Sequence, residues 1–399
     1  MSLFDNWVVR NGFLIREMYL IFFNYYPFEN ISIADIGLMF FLARHFRELG
    51  KLNTKDIWRV AILFFGFLIV GGLSYYKQYF LTSSFLTNSV RVIFYGLVFL
   101  ILSSLVRRGH REMLQSIQRS LGVLFVAIVI ELVLQGFGVF WSYYIPSLCQ
   151  NTSTHSTFFR PSAFFDEPSY LSIYVVLAYF ILSYAGISGY RWRFMAIACI
   201  LLSQSLSGLV GLAWVVYRDN FLWARFRKAR AIIVLPLVLG GVLASPVLWE
   251  RLDRIIEGVD GSASHRLLGS LELTENILTQ YPLAGLGLGQ FKTWLSTEAN
   301  NLEHHFFMAS LDTGSGINNG FLLALGIAGI SGLVAYLGFI LTLSREIGFL
   351  ILALWLGFSW GYILHPYMFV FYSIINGLTT IRAEDSFGLG KLLPTNSRR

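Results

Sequence analysis

Arg266 is the residue whose type and position point most directly to chemistry. It follows Ser264 and His265 at the apparent start of an amphipathic helix, where the helix dipole favours an anion and disfavours a cation. A cation at the start of a helix departs from this preference, which suggests a function. One such function is to bind a phosphate with the guanidinium and the free backbone N–H groups. An ion pair with Glu257 or Asp260 is the structural alternative, and the residues alone leave both open.

Arg160 is the only arginine or lysine between positions 141 and 168, and it lies among aromatic side chains in Phe158-Phe159-Arg160-Pro161-Ser162-Ala163-Phe164-Phe165-Asp166-Glu167-Pro168. It is either an interfacial arginine that extends to the membrane surface or a ligand for a charged substrate. Glu167 could act as a general base. Pro168, however, suits the first position of a helix, so the preferred interpretation of Glu167 is a cap.

His304 and His305 are chemically able to bind a metal or to transfer protons. Adjacent histidines point apart in regular structure, and no Cys or HExxH pattern surrounds them, so a metal site is not expected. The run Gly285-Leu286-Gly287-Leu288-Gly289 resembles a nucleotide-binding loop only superficially, because no strand–turn–helix unit encloses it. A turn packed at the membrane surface is the better interpretation.

The composition is that of an integral membrane protein. Hydrophobic residues make up 55% of the chain and charged residues 13%, against about a quarter charged in soluble domains, which excludes an ordinary cytosolic enzyme. The net charge of +7 is distributed over short segments between apolar runs, so nucleic acid is not an expected partner. Cys149 and Cys199 provide neither a disulfide framework nor a metal cluster.

Hydropathy predicts an all-α polytopic fold with about 11 or 12 membrane helices. The clear apolar runs are 60–73, 92–106, 121–140, 169–186, 231–248, 321–342 and 349–364, and weaker ones are 13–28, 31–43 and 367–381. Run 194–217 has a polar centre at 203–208, which includes Ser205 and predicts two short helices broken within the membrane. Glu131 and Gln135 lie one turn apart in an apolar run, so we expect them to share a face inside the bundle.

Basic residues crowd four connections, at 44–59, 107–119, 191–193 and 218–230, which the positive-inside rule places in the cytoplasm. The segments 141–168 and 250–318 are then extracytoplasmic, provided that run 194–217 returns to the side it left. The second segment, about 70 residues, is long enough to indicate function, and leucines at 267, 268, 271 and 278 predict a helix that Pro282 ends. The predicted organisation is N-terminal membrane helices (1–249), a large periplasmic loop (250–318), C-terminal membrane helices (319–382) and a disordered cytoplasmic tail (383–399).

Four segments together resemble the bacterial O-antigen polymerase (Wzy-type) family of the O-antigen polymerase/ligase superfamily. They are Arg160 with Phe165-Asp166-Glu167-Pro168-Ser169, the break at 203–208, His265-Arg266 with Pro282-Leu283-Ala284-Gly285-Leu286-Gly287, and Asn318-Asn319-Gly320-Phe321-Leu322 with Gly326-Ile327-Ala328-Gly329-Ile330. The order of these segments and the topology carry the resemblance, which covers about residues 30–380.

The resemblance implies a GT-C-like glycosyltransferase of the bacterial inner membrane, acting on undecaprenyl-pyrophosphate-linked glycans at the periplasmic face. The family's paired arginines carry over to Arg160 and Arg266, which would stabilise the leaving diphosphate without a metal or other cofactor. The further catalytic candidates are Glu167 and His305, and the candidate substrate contacts are Asn318, Asn319, His304 and Ser205. The expected partners are the lipid-linked glycan, membrane lipid and a chain-length regulator protein.

Alternative functions remain. Ligases of the superfamily usually have His-Asn where this chain has Asn318-Asn319, which favours a polymerase and leaves the general base open. A ligase would need a substitute proton acceptor, such as His304 or His305. A secondary transporter or lipid-linked glycan flippase is supported by Glu131 and opposed by the lack of an internal sequence repeat. A structural scaffold would not need isolated arginines in its outer loops.

Overall fold

The computed structural model describes residues 33–77, 80–139, 161, 163, 165, 168–219, 253, 269–298, 317, 319–344, 346–359 and 366–384. The regular structure of these residues is helical throughout, which confirms the predicted all-α polytopic membrane fold. Within them, the helices long and apolar enough to cross a membrane are Thr54–Tyr76, Thr82–Gly109, Met113–Gly136 and Gly320–Leu343. Shorter apolar helices accompany them at Pro168–Tyr184, Leu206–Arg218, Ile347–Ser359 and Met368–Ile381.

We number the helices in chain order. A 3₁₀ turn (Phe46–Lys51) joins α1 (Ile33–His45) to α2 (Thr54–Phe64), which a π turn (Phe65–Val70) and a 3₁₀ turn (Leu73–Tyr76) extend. The long helix Thr82–Gly136 bends at Gly109 (φ −131°, ψ 32°), and its halves are α3 (Thr82–Gly109) and α4 (Met113–Gly136). The remaining helices are α5 (Pro168–Tyr184), α6 (Tyr190–Ser203), α7 (Leu206–Arg218), α8 (Ser270–Gln280), α9 (Phe291–Glu298), α10 (Gly320–Leu343), α11 (Ile347–Ser359) and α12 (Pro366–Glu384).

Helix α10 packs against α2, α8, α11 and α12, while α5 packs against α6 and α7. Small residues permit the close approach, as is typical where helices associate in a membrane. A Cβ atom at Gly66, in the π turn after α2, would lie 2.3 Å from the Cβ of Ala335 in α10, and one at Gly208 of α7 would lie 2.4 Å from the Cβ of Ser172 in α5. The described helices therefore form a tightly packed bundle.

A buried ionic cluster ties together helix ends that the charge pattern assigns to the cytoplasm. Asp56, at the start of α2, is 1% exposed and lies 2.8 Å from Arg59 and 2.7 Å from Arg107. Asn376 of α12 donates a hydrogen bond to Asp56 at 2.9 Å, and Arg59 donates one to the Thr342 carbonyl of α10 at 3.0 Å. These contacts place the ends of α2, α3, α10 and α12 together, and we call this side the Asp56 end.

A second buried ion pair joins the start of α6 to the end of α7. The guanidinium of Arg193 makes two contacts with the Asp219 carboxylate, at 2.6 Å and 3.1 Å, and the Tyr179 hydroxyl of α5 donates to the same carboxylate at 3.0 Å. The two helices therefore leave and return to the same side of the bundle. This confirms the broken pair that the charge pattern required of run 194–217.

Candidate functional site

Most of the predicted site residues lie outside the described residues: Arg160, Glu167, Arg266, His304, His305 and Asn318. The nearest described residues along the chain are Pro161, which follows Arg160, and Gly269, three residues after Arg266.

The segment before α5 is anchored by Glu131 of α4. Glu131 and Gln135 are 1% and 2% exposed, and Gln135 Nε2 donates to Glu131 Oε1 at 3.1 Å, which confirms that they share a face inside the bundle. Glu131 Oε2 accepts a hydrogen bond from the backbone N–H of Ala163 at 2.7 Å. The ring of Phe165 is buried 5.7 Å from that of Tyr174 in α5. The segment that leads into α5 is thus tied to two membrane helices.

The predicted break in run 194–217 is present and packed. Gln204 separates α6 from α7 in a left-handed conformation (φ 48°, ψ 41°), and Ser205 caps α7 by accepting a hydrogen bond from the Gly208 N–H at 3.3 Å. Trp355 of α11 donates to the Ser207 carbonyl at 3.2 Å. Neighbouring helices therefore satisfy this backbone at depth, and contact between Ser205 and substrate stays a prediction.

The glycine run after α8 pairs with a kink in α10. Helix α10 departs from helical geometry at Gly329 (φ 62°, ψ −157°), which frees backbone carbonyls within a membrane span. The N–H groups of Leu286 and Gly287 donate to the carbonyls of Gly326 and Ile327, each at 2.8 Å. The glycine run is therefore a structural turn, as predicted, and it occupies the kink.

Further hydrogen bonds are donated by α10 to carbonyls of the turn after α8. The N–H of Ile330 donates to the Pro282 carbonyl at 3.0 Å, and the Ser331 hydroxyl donates to the Leu283 carbonyl at 2.7 Å. Non-helical backbone at membrane depth requires such partners from the surrounding protein. Two of the segments that carry the family resemblance, 282–287 and 326–330, therefore form one interlocked unit, which we call the α10 lock.

Asn319 is the one predicted site residue of the 318–319 motif that the structure describes. It is 1% exposed, and its Oδ1 caps α10 by accepting hydrogen bonds from the backbone N–H groups of Phe321 and Leu322, at 3.1 and 3.2 Å. Thr274 of α8 donates to the Leu322 carbonyl of the same turn at 3.4 Å. The helix that follows Arg266 and the motif that contains Asn318 therefore lie side by side at the start of α10.

Helix α8 confirms the predicted helix in the large loop, since it ends at Gln280, just before Pro282. Its packed face differs from the one that the leucine spacing indicated. Leu273 and Ile277 are buried there, whereas Leu271 is 46% exposed. The leucine spacing identified the helix but not the surface by which it contacts α10.

Lys77 is a buried cation at this end of the bundle that the sequence reasoning missed. It follows the α2 span directly, is 7% exposed, donates to the carbonyl of Gly285 and lies 3.5 Å from the ring centroid of Tyr281. Burial lowers the pKa of Lys77 to about 8. A signal was available, because the positive-inside rule makes a lysine unusual on the side that the charge pattern assigns to the exterior. We call the side that contains Lys77, the α10 lock and Asn319 the loop end.

The chemistry that the sequence predicts for this end is the binding of an anion. Arg160 and Arg266 precede the described residues Ala163 and Ser270 in the chain, and guanidinium groups make the strongest hydrogen bonds with phosphate. Among the described residues, no three His, Cys, Asp or Glu side chains converge as metal ligands would.

Comparison with known protein families gives one match. The model of the WcaD colanic acid polymerase family matches residues 26–357, which include the α10 lock and segments 141–168 and 250–318. A comparison with curated proteins finds no match. The family match confirms the prediction of a polysaccharide polymerase of the Wzy type.

Proposed function

The chain belongs to the WcaD colanic acid polymerase family, and we propose that it polymerises lipid-linked oligosaccharide repeat units into O-antigen or a related surface polysaccharide. The family match over residues 26–357 carries this proposal. The finer parts come from the sequence: the substrate is an undecaprenyl-pyrophosphate-linked glycan, the membrane is the bacterial inner membrane, and the reaction occurs at its periplasmic face.

The proposed reaction is glycosyl transfer with the lipid diphosphate as leaving group. A hydroxyl of the acceptor repeat unit attacks the anomeric carbon of the growing glycan, and the bond from that carbon to the diphosphate oxygen breaks. The hydroxyl proton passes to a base, for which Glu167 and His305 are the candidates. Negative charge develops on the diphosphate, where Arg160 and Arg266 stabilise it without a metal ion.

The proposed substrate contacts are Asn318, Asn319, His304 and Ser205. Of these, the structure describes Asn319 at the start of α10 and Ser205 at the break between α6 and α7. Because Asn319 Oδ1 and Ser205 Oγ cap their helices, the amide NH₂ of Asn319 is assigned to a sugar hydroxyl. The hydroxyl of Ser205, which lies 3.0 Å from that of Ser207, would exchange this partner for a sugar hydroxyl. Neither assignment disturbs the capping hydrogen bonds.

Reconstitution tests the proposed function. The purified protein in liposomes receives undecaprenyl-pyrophosphate-linked repeat units extracted from cells that lack it, and the products are separated by gel electrophoresis. A ladder of glycans that persists in EDTA is the expected result. Transfer of glycan to added lipid A core would identify a ligase, movement across the bilayer without new bonds would identify a flippase, and loss of the ladder in EDTA would refute the metal-free mechanism.

A further inference from the structure

We propose that Glu131 is a positioning residue of the polymerase, because it holds, through the backbone of Ala163, the segment that carries Arg160. This inference rests on the proposed function, since it concerns how a proposed catalytic arginine is oriented. It assigns a role to a buried acidic residue that the reaction scheme does not otherwise use.

The first observation is the partner of the buried carboxylate. Glu131 lies within the α4 span and is 1% exposed, and an ionisable side chain at such a position is costly and usually functional. One carboxylate oxygen receives the Gln135 amide, one turn along the same helix, at 3.1 Å. The other receives the Ala163 backbone N–H at 2.7 Å. Glu131 is therefore oriented by its own helix and directed at the segment before α5.

The second observation is the backbone of Ala163. Its φ of +50° lies in the left-handed region, which Ala163 shares only with Gln204 among the described non-glycine residues. A residue with a Cβ atom is strained there, and the conformation persists only where its surroundings determine it. Ala163 is 2% exposed, and Pro161 and Phe165 are buried on either side of it. The hydrogen bond to Glu131 is a direct restraint on this strained turn.

The third observation is the proximity of Arg160 along the chain. Arg160 lies three positions before Ala163 in the sequence. Pro161 lies between them, and its ring restricts the backbone. A displacement of Ala163 is therefore expected to affect Arg160 through a short and restricted stretch of chain. An error of about 1 Å in the position of a catalytic group lowers the rate by up to about 100-fold. Loss of the Glu131 hydrogen bond should thus lower turnover through the position of Arg160.

Two substitutions at Glu131 and one control separate its role as a hydrogen-bond acceptor for Ala163 from a role of its charge. Glu131→Ala removes the acceptor for Ala163, whereas Glu131→Gln keeps an oxygen that can accept the same N–H while removing the charge. Ser103→Ala is the matched control, because Ser103 is a buried polar residue of a membrane span whose hydroxyl donates to the Ser373 carbonyl of α12 at 3.3 Å. The full-length variants are compared in lipid nanodiscs at equal amounts of folded protein.

The experiment combines amide hydrogen exchange of the peptide containing Ala163 with polymerisation kinetics. Glu131→Ala should raise exchange in that peptide by about tenfold or more, and should lower kcat by about 10- to 100-fold with little change in KM. Glu131→Gln and Ser103→Ala should stay close to wild type in both measurements.

Unchanged exchange in Glu131→Ala, or a kcat within about twofold of wild type, would overturn the proposal. So would a Glu131→Gln variant that is as inactive as Glu131→Ala while exchange stays slow, because the charge itself would then take part in the reaction. Exchange needs no substrate. A wild-type protein that makes no polymer would therefore contradict the proposed function, while the exchange data would still test the restraint on Ala163.

Discussion

The backbone N–H of Leu286 donates to the carbonyl of Gly326 at 2.8 Å, which joins the turn after α8 to the long apolar helix α10. Gly326 belongs to the turns of α10 that follow the Asn319 cap, and Leu286 follows α8, the helix that begins four residues after Arg266. The contact therefore holds two segments of the family resemblance in one place. It also explains why a membrane helix of this protein is kinked.

Gly329→Ala should destabilise the protein through the α10 lock. A Cβ atom at Gly329 would lie 2.4 Å from the backbone carbon of Leu283, and its φ of +62° strains any other residue. We expect a loss of at least about 2 kcal/mol in the free energy of unfolding. Gly338→Ala on the same helix is the control, because the added Cβ would meet only Ile62, at 3.8 Å. Equal denaturant midpoints for the two variants would contradict the lock.

Asp56→Ala should destabilise the bundle at the opposite end without affecting the chemistry. The substitution leaves Arg59 and Arg107, 18% and 15% exposed, without their shared carboxylate, and removal of one partner from a buried ion pair costs about 3–5 kcal/mol. Glu48→Ala, which breaks the more exposed pair with Arg108, should cost less than about 1 kcal/mol. Turnover per folded molecule should match wild type in both variants, and a selective loss of turnover in Asp56→Ala would contradict a purely structural role.

Lys77 should make stability increase with pH on the alkaline side. Its pKa in the folded protein is about 8, below the usual 10.5, so between these values the unfolded chain binds a proton that the folded protein does not. The free energy of unfolding therefore rises as the pH increases from about 8 to about 10. The measurement compares wild type with Lys77→Met at pH 7 and about pH 9.5. The same pH dependence in both proteins would show that Lys77 keeps its proton.

The two outer loops should be accessible from outside the cell. His155→Cys and Glu298→Cys, introduced into a Cys149→Ser background, should react with a membrane-impermeant maleimide in intact cells. Lys51→Cys, in the basic connection beside the Asp56 end, should react only after lysis, because the positive-inside rule places it in the cytoplasm. The buried thiol of Cys199 should stay unlabelled. The reverse pattern would overturn the orientation.

Local sequence patterns predicted the helices and the break between α6 and α7. Contacts between distant segments determine the kink in α10 and the anchoring of Ala163, and these could not be predicted. Pro168 begins α5, Glu131 and Gln135 share a buried face, and a break separates α6 from α7, as local sequence indicated. The apolar run 321–342 predicted an uninterrupted helix, because its hydropathy does not reveal that segment 282–287 occupies a kink at Gly329. Asn319 before α10 was recognisable as an N-cap, whereas the contact between Glu131 and Ala163 joins residues that no local pattern relates.

The most direct test of the account is a double-mutant cycle at Arg160 and Arg266, with undecaprenyl diphosphate release and polymer length measured in the reconstituted system. Each single Arg→Ala variant should lose about 2–4 kcal/mol of transition-state stabilisation, which is roughly 10²- to 10³-fold in turnover. Arg→Lys should restore only part of it, because an ammonium lacks the planar fork. Since both side chains act on one diphosphate, the double variant should lose less than the product of the single losses. Wild-type turnover in either single variant would contradict the account, and strictly multiplicative losses would show that the two arginines act on separate groups.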